Sequence, residues 1–339
     1  MATGKMILDK IQIGQEAVAG DGAADARVAT AILAGAGTLQ DASVKTVVDN
    51  KVGYSIRTTE QFTPMKGVDI SLTEHYASFE QLGYFLDMAL GKATPAQDGV
   101  GSGYVRTYPI PSDIQEITDF LTLLVEGGDN NQEYQAAYCF MTEMSLSMKK
   151  GDAWMRSASL TGQEMLKGSF TGSLSAPTLE KIMANNTALY IDAVSGTIGT
   201  TLVPACTLLT ASLAIATGLR PFSGDADLAF ACAEHVGHAL ELDTSFRYDA
   251  NAVSQEDNYA ADTPILLQLK NEGSDLGTTG TTYSKKTLII DLAGVWGSFK
   301  KDGDENGVNL GKGKLLVGYD PTAATAGQII LVNELSTLP

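Results

Sequence analysis

The chain has 339 residues, of which 44% are hydrophobic and 19% charged, and its 40 acidic and 23 basic residues give a formal net charge of −17. This composition is globular and excludes a disordered chain, and the length allows two domains of ordinary size. The acidic balance excludes the basic groove that nucleic-acid-binding proteins need.

Cysteine usage and hydropathy bear on the cellular compartment. The three cysteines are Cys139, Cys206 and Cys232. An odd number at scattered positions argues against a disulfide framework and favours a reducing compartment, with each thiol a small buried hydrophobic group. Asp9 and Lys10 lie where a signal peptide would be apolar, and polar residues interrupt the most apolar window, Leu202–Leu219. We therefore expect a soluble protein.

The N-terminal part of the chain has little periodicity. Residues 1–45 are rich in Ala and Gly and follow neither a helical nor a strand period, which predicts an extended arm with one or two short elements. Apolar and polar residues then alternate over Gly67–Tyr76. This alternation is the pattern of a half-buried strand.

The clearest helical pattern follows this strand, over Ser78–Gly91. Ser78 and Gln81 have the spacing of a capping box, and Gly91 allows the left-handed backbone that ends many helices. The apolar stripe consists of Leu82, Phe85, Leu86, Ala89 and Leu90. The spacing of these residues predicts one amphipathic α-helix lying against a sheet.

Further strands are predicted in both halves of the chain. Those in the first half cover Phe120–Glu126, Tyr138–Lys149 and Ala153–Thr161. A linker rich in Ser, Thr and Gly follows at residues 168–178. The strands predicted after the linker cover Leu240–Asp249, Ile265–Lys270, Thr287–Phe299, Lys314–Tyr319 and Gln328–Asn333.

A faint internal repeat relates these two sets of strands. FLTLLVEGG from Phe120 corresponds to PILLQLKNEG from Pro264, and the turns KKGD at Lys149 and KKDGD at Lys300 follow them. The offset of about 150 residues favours two copies of one domain. The predicted helix has no equally clear partner, because its nearest counterpart, NAVSQEDNYAAD from Asn251, is short and polar.

The stretch Lys300–Lys314 has the beginning of a calcium-binding loop. Its acidic and turn-forming residues are Asp302, Asp304, Asn306 and Gly307. An EF-hand also needs a bidentate Glu at the twelfth position and a helix on each side. Gly313 occupies the twelfth position, and the flanking sequences are typical of strands. We interpret Asp302–Gly311 as a solvated hairpin loop.

Two glycine-rich stretches fail as nucleotide-binding motifs. Gly307–Gly313 has three residues, where a P-loop has four, before its Gly-Lys pair, and no Ser or Thr follows. GAGTLQ at Gly35 has Gln40 where a dinucleotide fingerprint needs its third glycine. Neither stretch predicts a cofactor.

Cys232, His235 and His238 are close enough in the sequence to suggest zinc. In an extended strand, however, positions 235 and 238 point to opposite faces, and no fourth ligand lies nearby, so we interpret these residues as structural. His75 is the third and last histidine of the chain, and no GxSxG motif occurs. The sequence therefore offers few candidates for the histidine of a hydrolytic triad and no motif for its serine. We predict no catalytic, cofactor or metal site, and no enzyme activity.

Several segments taken together resemble a known family. They are IGQEAVAGDGAADA from Ile13, the capped helix Ser78–Gly91 after a strand, Tyr134–Gln163, and the closing YDPTAATAGQIILVNEL. In their order and spacing, over nearly the whole chain, they resemble the major tail tube proteins of long-tailed bacteriophages in the duplicated, two-domain form. No single segment among them is a sharp motif.

The resemblance implies a mainly β fold with two tail-tube-type β-sandwich or barrel domains, the first flanked by one amphipathic α-helix. The implied boundaries are an extended N-terminal arm over 1–45, a first domain over 46–167, a linker over 168–178 and a second domain over 179–339. In such proteins, copies form sixfold rings, or threefold rings of pseudo-sixfold shape. The rings stack into a tube through which DNA is ejected into the host.

The resemblance also implies partners and a location. The partners would be further copies of the chain and other tail proteins, namely the tape measure, tail terminator and distal tail proteins. Viral DNA would pass through the lumen without specific binding, and no membrane or cofactor would be involved. The protein would be made in the host bacterial cytoplasm and reside in the tail of the virion.

Two alternatives come from other functional classes. One is a β-sandwich binding module of a phage tail or cell surface that recognises carbohydrate or a receptor. Such a module usually exposes an aromatic cluster, whereas aromatic residues are 7% here, and Trp154 and Trp296 fall in strand patterns. The other is a metal-dependent enzyme that uses Cys232, His235 and His238, which a metal assay would test.

Overall fold

The computed structural model describes residues 10–16, 30–47, 61–111, 123–128, 132–168, 178–224 and 228–338. We call residues 10–168 the first half and residues 178–338 the second half. The first-half strands are β1 (Lys10–Gln15), β2 (Thr30–Leu33), β3 (Gly37–Asp41), β4 (Val44–Val47), β5 (Gln61–Met65), β6 (Val68–Tyr76), β7 (Ala96–Gln97), β8 (Tyr104–Pro109), β9 (Leu123–Gly128), β10 (Glu133–Lys149), β11 (Met155–Gly162) and β12 (Met165–Gly168).

The second half adds nine strands to those of the first. They are β13 (Thr187–Ala193), β14 (Leu208–Ala216), β15 (Leu219–Ser223), β16 (Phe230–His235), β17 (Ala239–Arg247), β18 (Ile265–Asp275), β19 (Lys285–Glu305), β20 (Val308–Val317) and β21 (Gly327–Asn333). The two α-helices of the described residues are α1 (Leu82–Leu90) and α2 (Ala250–Ala260). The predicted mainly β class is therefore confirmed.

One large antiparallel sheet runs through both halves, in the order β3-β6-β11-β10-β14-β17-β20-β19. Four of its strands come from each half, and the pairing of β10 with β14 joins them. β3 pairs only with β6, and the C-terminal part of β19 only with β20, among the strands of the described residues. These two strands therefore form the ends of the large sheet.

Two outer sheets complete the molecule. The first-half outer sheet has the order β2-β1-β9-β10-β12. The second-half outer sheet has the order β13-β18-β19-β21-β8-β7. β10 and β19 are 17 and 21 residues long, and each runs through the large sheet and one outer sheet, so the strands curl into a barrel-like sandwich. Where β19 passes between sheets, a side chain at Gly294 would collide with the Leu316 carbonyl.

The facing sides of these sheets enclose a shared hydrophobic core. In β6 the core residues are Val68, Ile70 and Leu72, all less than 4% exposed, while the residues between them face solvent. Burying such a side chain contributes about 1.5–3 kcal/mol. A slip of one residue would turn every apolar side chain of the strand outwards, so the alternation in the sequence fixes the register.

The strand order of the first half recurs in the second. In the outer sheets, β1-β9-β10-β12 corresponds to β13-β18-β19-β21. In the large sheet, β3-β6-β11-β10 corresponds to β14-β17-β20-β19. Each half also has a two-stranded hairpin, β4–β5 or β15–β16, and a helix at corresponding places in the chain. The recurrence agrees with the faint repeat in the sequence.

The paired residues of the large sheet give this correspondence residue by residue. In the first half the pairs run Leu39–Ile70–Leu160–Met141, and in the second half they run Leu213–Leu242–Leu315–Trp296. A bulge follows directly in each long strand, before Glu143 in β10 and before Ser298 in β19. Ser145 therefore corresponds to Lys300, and Gln40 corresponds to Ala214.

The predicted helix over Ser78–Gly91 is shorter and more buried than its amphipathic pattern indicates. The Ser78 hydroxyl accepts the Gln81 N–H at 3.3 Å, as in a capping box, but the α-helix begins only at Leu82. All nine residues of α1 are buried, including Asp87. The predicted α-helix is present and lies against β10, but β8 also contacts it, so that its polar side is buried as well.

The second half does contain a counterpart helix, contrary to the prediction that it would be short and unclear. α2 has 11 residues, two more than α1. The Asp249 carboxylate caps it by accepting the N–H groups of Asn251 and Ala252 at 2.9 and 3.3 Å. An N-cap of this kind stabilises a helix by about 1 kcal/mol, which compensates for the polar sequence. Asp249 was assigned to a strand, which hid this signal.

The predicted arm over residues 1–45 differs from what its described parts show. Ile11 and Ile13 of β1 are buried, and β1 pairs with β2 and β9. These parts are sheet strands rather than an extended arm, and their shortness hid the strand period. The rest of the arm, most of the linker at 168–178 and the start of Phe120–Glu126 lie outside the described residues. The domain boundaries stay predictions.

The remaining strand predictions are confirmed, with one difference at the hairpin Asp302–Gly311. β19 and β20 continue through most of it and leave a two-residue turn at Asn306 and Gly307, whose φ values are 54° and 79°. Asn-Gly readily adopts such values, and the resulting turn matches the twist of the flanking strands. The stretch that resembles a calcium loop is thus the tip of a long β-hairpin.

Candidate functional site

The outer face of the large sheet is concave at its centre. A depression of about 690 Å³ lies across β6, β11, β10, β14 and β17, and so spans the joint between the halves. Its lining residues are Ser71, Leu72, Thr73, Glu74, Glu143, Met144, Ser145, Ser157, Ala158, Ser159, Ala214, Ile215, Ala216, Ala239 and Glu241. We call this face of the large sheet the concave face.

The exposed side chains of the depression are small, polar or acidic, while Leu72, Met144 and Ile215 are buried beneath it. Glu74, Glu143 and Glu241 are its charged residues, and the lining contains no Lys, Arg or aromatic residue. A surface that binds single-stranded nucleic acid needs cations and stacking rings. A surface with these residues instead repels a polyanion and offers no ring on which a base can stack. The depression also lacks the aromatic cluster expected of a carbohydrate-binding module.

Basic residues occur at one end of the concave face, where they meet the hairpin of β19 and β20. Lys149, Lys312 and Lys300 lie in one row of paired residues across the sheet. Asp302 lies 3.7 Å from the Lys300 ammonium and 3.4 Å from that of Lys312, and Glu305 lies 3.9 Å from that of Lys149. Such exposed pairs add little stability, but they offset the positive charge at this end.

The structure brings together two histidines that we predicted to point apart. β16 ends at His235, and Gly237, with φ of 126°, turns the chain. Nε2 of His235 lies 2.8 Å from Nδ1 of His238, whose Nε2 donates to the Ala89 carbonyl at 2.8 Å. Burial lowers the pKa of both imidazoles. The prediction failed because it extended the strand through position 238.

The histidine pair is not accompanied by further ligands in the described residues. No group of three or more His, Cys, Asp or Glu side chains there is placed to hold a metal ion. Cys232 is exposed, as is Cys206, so two of the three thiols differ from the buried state that we predicted. Cys139 is buried, and burial raises its pKa well above its usual range. A buried thiol of this kind is inert.

The glycine-rich stretches lie in strands and bends. Gly35 has a φ of 104° in the bend before β3, and Gly37 begins that strand, so no helix follows as a dinucleotide fingerprint requires. The Gly307–Gly313 stretch lies in the turn and in β20. Both stretches are parts of the large sheet.

Comparison with known proteins gives no family for this chain. No protein-family model matches its sequence, and no curated protein matches it. Among the described helices, neither is long and apolar enough to cross a membrane. The proposal below therefore depends on the fold and on the concave face.

Proposed function

We propose that this chain is a structural subunit that assembles with copies of itself into stacked rings around a channel, as the major tail tube proteins of long-tailed phages do. The channel passes viral DNA into the host. One observation carries the proposal: the two ends of the large sheet, β3 and β19, are the counterparts of β14 and β10, the two strands that join the halves within that sheet. The same joint can therefore form again between copies.

The internal joint is the antiparallel pairing of β10 with β14. In the repeated strand order, β10 corresponds to β19 and β14 corresponds to β3. A free sheet edge presents unpaired backbone N–H and C=O groups, which bind another strand readily. β19 of one copy can thus pair with β3 of the next. Because this contact joins two different surfaces, it closes into a ring when the rotation between copies is suitable.

The register of the contact between copies follows from the internal one. Ser145 pairs with Ala214 within the chain. Their counterparts are Lys300 and Gln40, so we expect Lys300 of one copy to lie opposite Gln40 of the next. Each copy supplies two repeats to the ring, which is compatible with threefold rings of pseudo-sixfold shape and with sixfold rings.

The concave face supports the assignment of a DNA channel. Joining copies edge to edge continues the large sheet, so its concave face turns towards the ring axis. The depression at the centre of that face carries Glu74, Glu143 and Glu241 and no Lys or Arg, and the whole chain has a net charge of −17. A polyanion in such a channel finds few cations to bind and moves without being held. The tape measure, tail terminator and distal tail proteins remain proposed partners.

Negative-stain electron microscopy of the purified chain over a range of concentrations tests the proposal. We expect hollow rings or stacked tubes, and class averages would give their symmetry. A uniform monomer at every concentration, even after addition of a tail initiator complex, would overturn the proposal and favour a binding module.

A further inference from the structure

α1 and α2 occupy corresponding places in the two halves but differ in burial. Each lies against the long strand of its own half, α1 on β10 and α2 on β19. All nine residues of α1 are buried, whereas the buried residues of α2 are Ala252 and Gln255. Val253 of α2 is 40% exposed, and Ser254 and Asp257 on the same side of the helix are also exposed. One side of α2 thus faces solvent in the single chain.

The second half supplies groups that cover α1 and the turn before it. The side-chain amide of Asn333 donates to the Phe79 carbonyl at 2.7 Å, and Asn333 is fully buried. The Lys286 ammonium lies 2.8 Å from a carboxylate oxygen of Glu80, and both side chains are at most 15% exposed. Polar contacts so shielded from water hold the turn firmly on the second half.

Residues of the second half also contact α1 itself. The His238 ring donates to the Ala89 carbonyl near the C-terminal end of α1. Leu338 lies so close to Gly83 that a Cβ at position 83 would be 2.6 Å from it. α1 therefore lies at the joint between the halves, which the pairings of β10 with β14 and of β8 with β21 form.

We propose that α2 of one copy docks on the next copy, against the first-half outer sheet where β9, β10 and β12 run together. This inference rests on the proposed function, because it requires the joint between β19 and β3 of two copies. When that joint repeats the internal one, the elements beside it are repeated as well. α2 then lies at the joint between copies, as α1 lies at the joint between halves.

A second copy fits this place better than any segment of the same chain. The connection from α1 to β9 contains β7 and β8, and β8 covers α1, whereas only residues 261–264 separate α2 from β18. On the opposing sheet, Leu166 of β12 is 45% exposed and Lys167 beside it is also exposed. Apolar contact with Val253, rimmed by Lys167 on the sheet and by the acidic residues of α2, is typical of interfaces between folded copies.

The sequences of the two helices agree with burial of α1 during folding of the chain and burial of α2 only on assembly with another copy. α1 reads LGYFLDMAL and is covered as soon as the chain folds. α2 reads ANAVSQEDNYA, which includes the carboxylates of Glu256 and Asp257. A helix that stays in water until a copy arrives needs such polar residues to keep the free subunit from aggregating.

Protection of a thiol on α2 tests the inference. In a Cys206→Ser and Cys232→Ser background, Val253→Cys places a thiol on the exposed side of α2. We expect maleimide to label it at least about tenfold more slowly in assembled rings than in dilute subunits, because a docked surface excludes the reagent. Val100→Cys, at a position that is 89% exposed, is the matched control and should keep its rate.

The outcomes separate this inference from the proposed function. Absence of rings from the parent chain would overturn the proposed function. Rings in which the Val253→Cys thiol reacts as fast as in the subunit would overturn only the docking of α2. As a second measurement, Val253→Asp should raise the protein concentration needed for rings about tenfold, while Val100→Asp should not. Equal thresholds for the two variants would likewise contradict the docking.

Discussion

Asp87 is a carboxyl group buried in α1, with 4% of its surface exposed. Burial raises its pKa to about 6, although the Ala93 N–H and the Tyr108 hydroxyl bind the charged form. The folded chain therefore holds the proton more tightly than the unfolded chain does. The stability associated with the neutral form is fully present below pH 3.8 and is lost as the pH rises through 6.

We predict that Asp87→Asn stabilises the chain at pH 7.5 by up to about 3 kcal/mol relative to its effect at pH 4, since the amide stays neutral. Urea unfolding at several pH values between these limits measures the difference. Asp243→Asn, the same change at an exposed position of β17, is the matched control. A stability difference between Asp87→Asn and the parent that does not change with pH would refute the assignment.

At the scale of elements, strand alternation was the most informative signal in the sequence. Val68, Ile70 and Leu72 face the core because burial on one side of a sheet imposes a period of two. This period is a local pattern, so the strand can be predicted from the sequence. The pairing of β10 with β14 could not be predicted from the sequence, because it joins residues about 70 positions apart. The burial of α1 was missed for the same reason, since β8, which covers it, is held in place by pairing with β21 of the second half.

The candidate site was not predicted from the sequence. Outward carboxylates such as Glu241 and Asp243 were readable as solvated strand positions, and both lie on the outer side of β17. Their gathering with Glu143 on one concave face depends on the order of strands, which no local pattern gives. His235 and His238 meet because a single glycine turns the chain, and a prediction that assumes a continuous strand cannot find such contacts.

The proposed contact between copies can be tested at residue resolution. In the Cys206→Ser and Cys232→Ser background, we expect Lys300→Cys with Gln40→Cys to form disulfides between copies under mild oxidation. Opposed residues of paired strands have Cα atoms about 4.5–5.5 Å apart, which suits a disulfide. A ladder of covalent oligomers on non-reducing gels is the expected result.

Two matched variants show whether the register is correct. Ser145→Cys with Ala214→Cys repeats the same geometry at the internal joint, so it should cross-link within one chain and give no ladder. Lys300→Cys with Thr38→Cys is displaced by two residues and should cross-link poorly, because the diagonal separation exceeds disulfide reach. Ladders of equal strength from the two Lys300→Cys pairs would show that the copies do not meet in the inferred register.

At the scale of the whole molecule, the charge of the concave face is the property most closely tied to the proposed channel. Glu143 lies in the depression, close to the joint between the halves, while Glu234 is exposed on β16, away from that face. A ring repeats each of these positions in every copy. In the proposed ring, a change of sign at Glu143 would therefore place a circle of cations around the channel.

We predict that Glu143→Lys converts the channel from one that repels DNA to one that retains it. Assembled tubes of the parent chain should hold no duplex DNA at about 0.15 M salt, whereas tubes of the variant should hold it and release it steeply as salt rises, because retention depends on counterion release. Co-sedimentation of labelled duplex DNA with tubes measures this. Glu234→Lys makes the same change of charge on a different surface. Equal retention by the two variants would mean that the concave face does not line the channel.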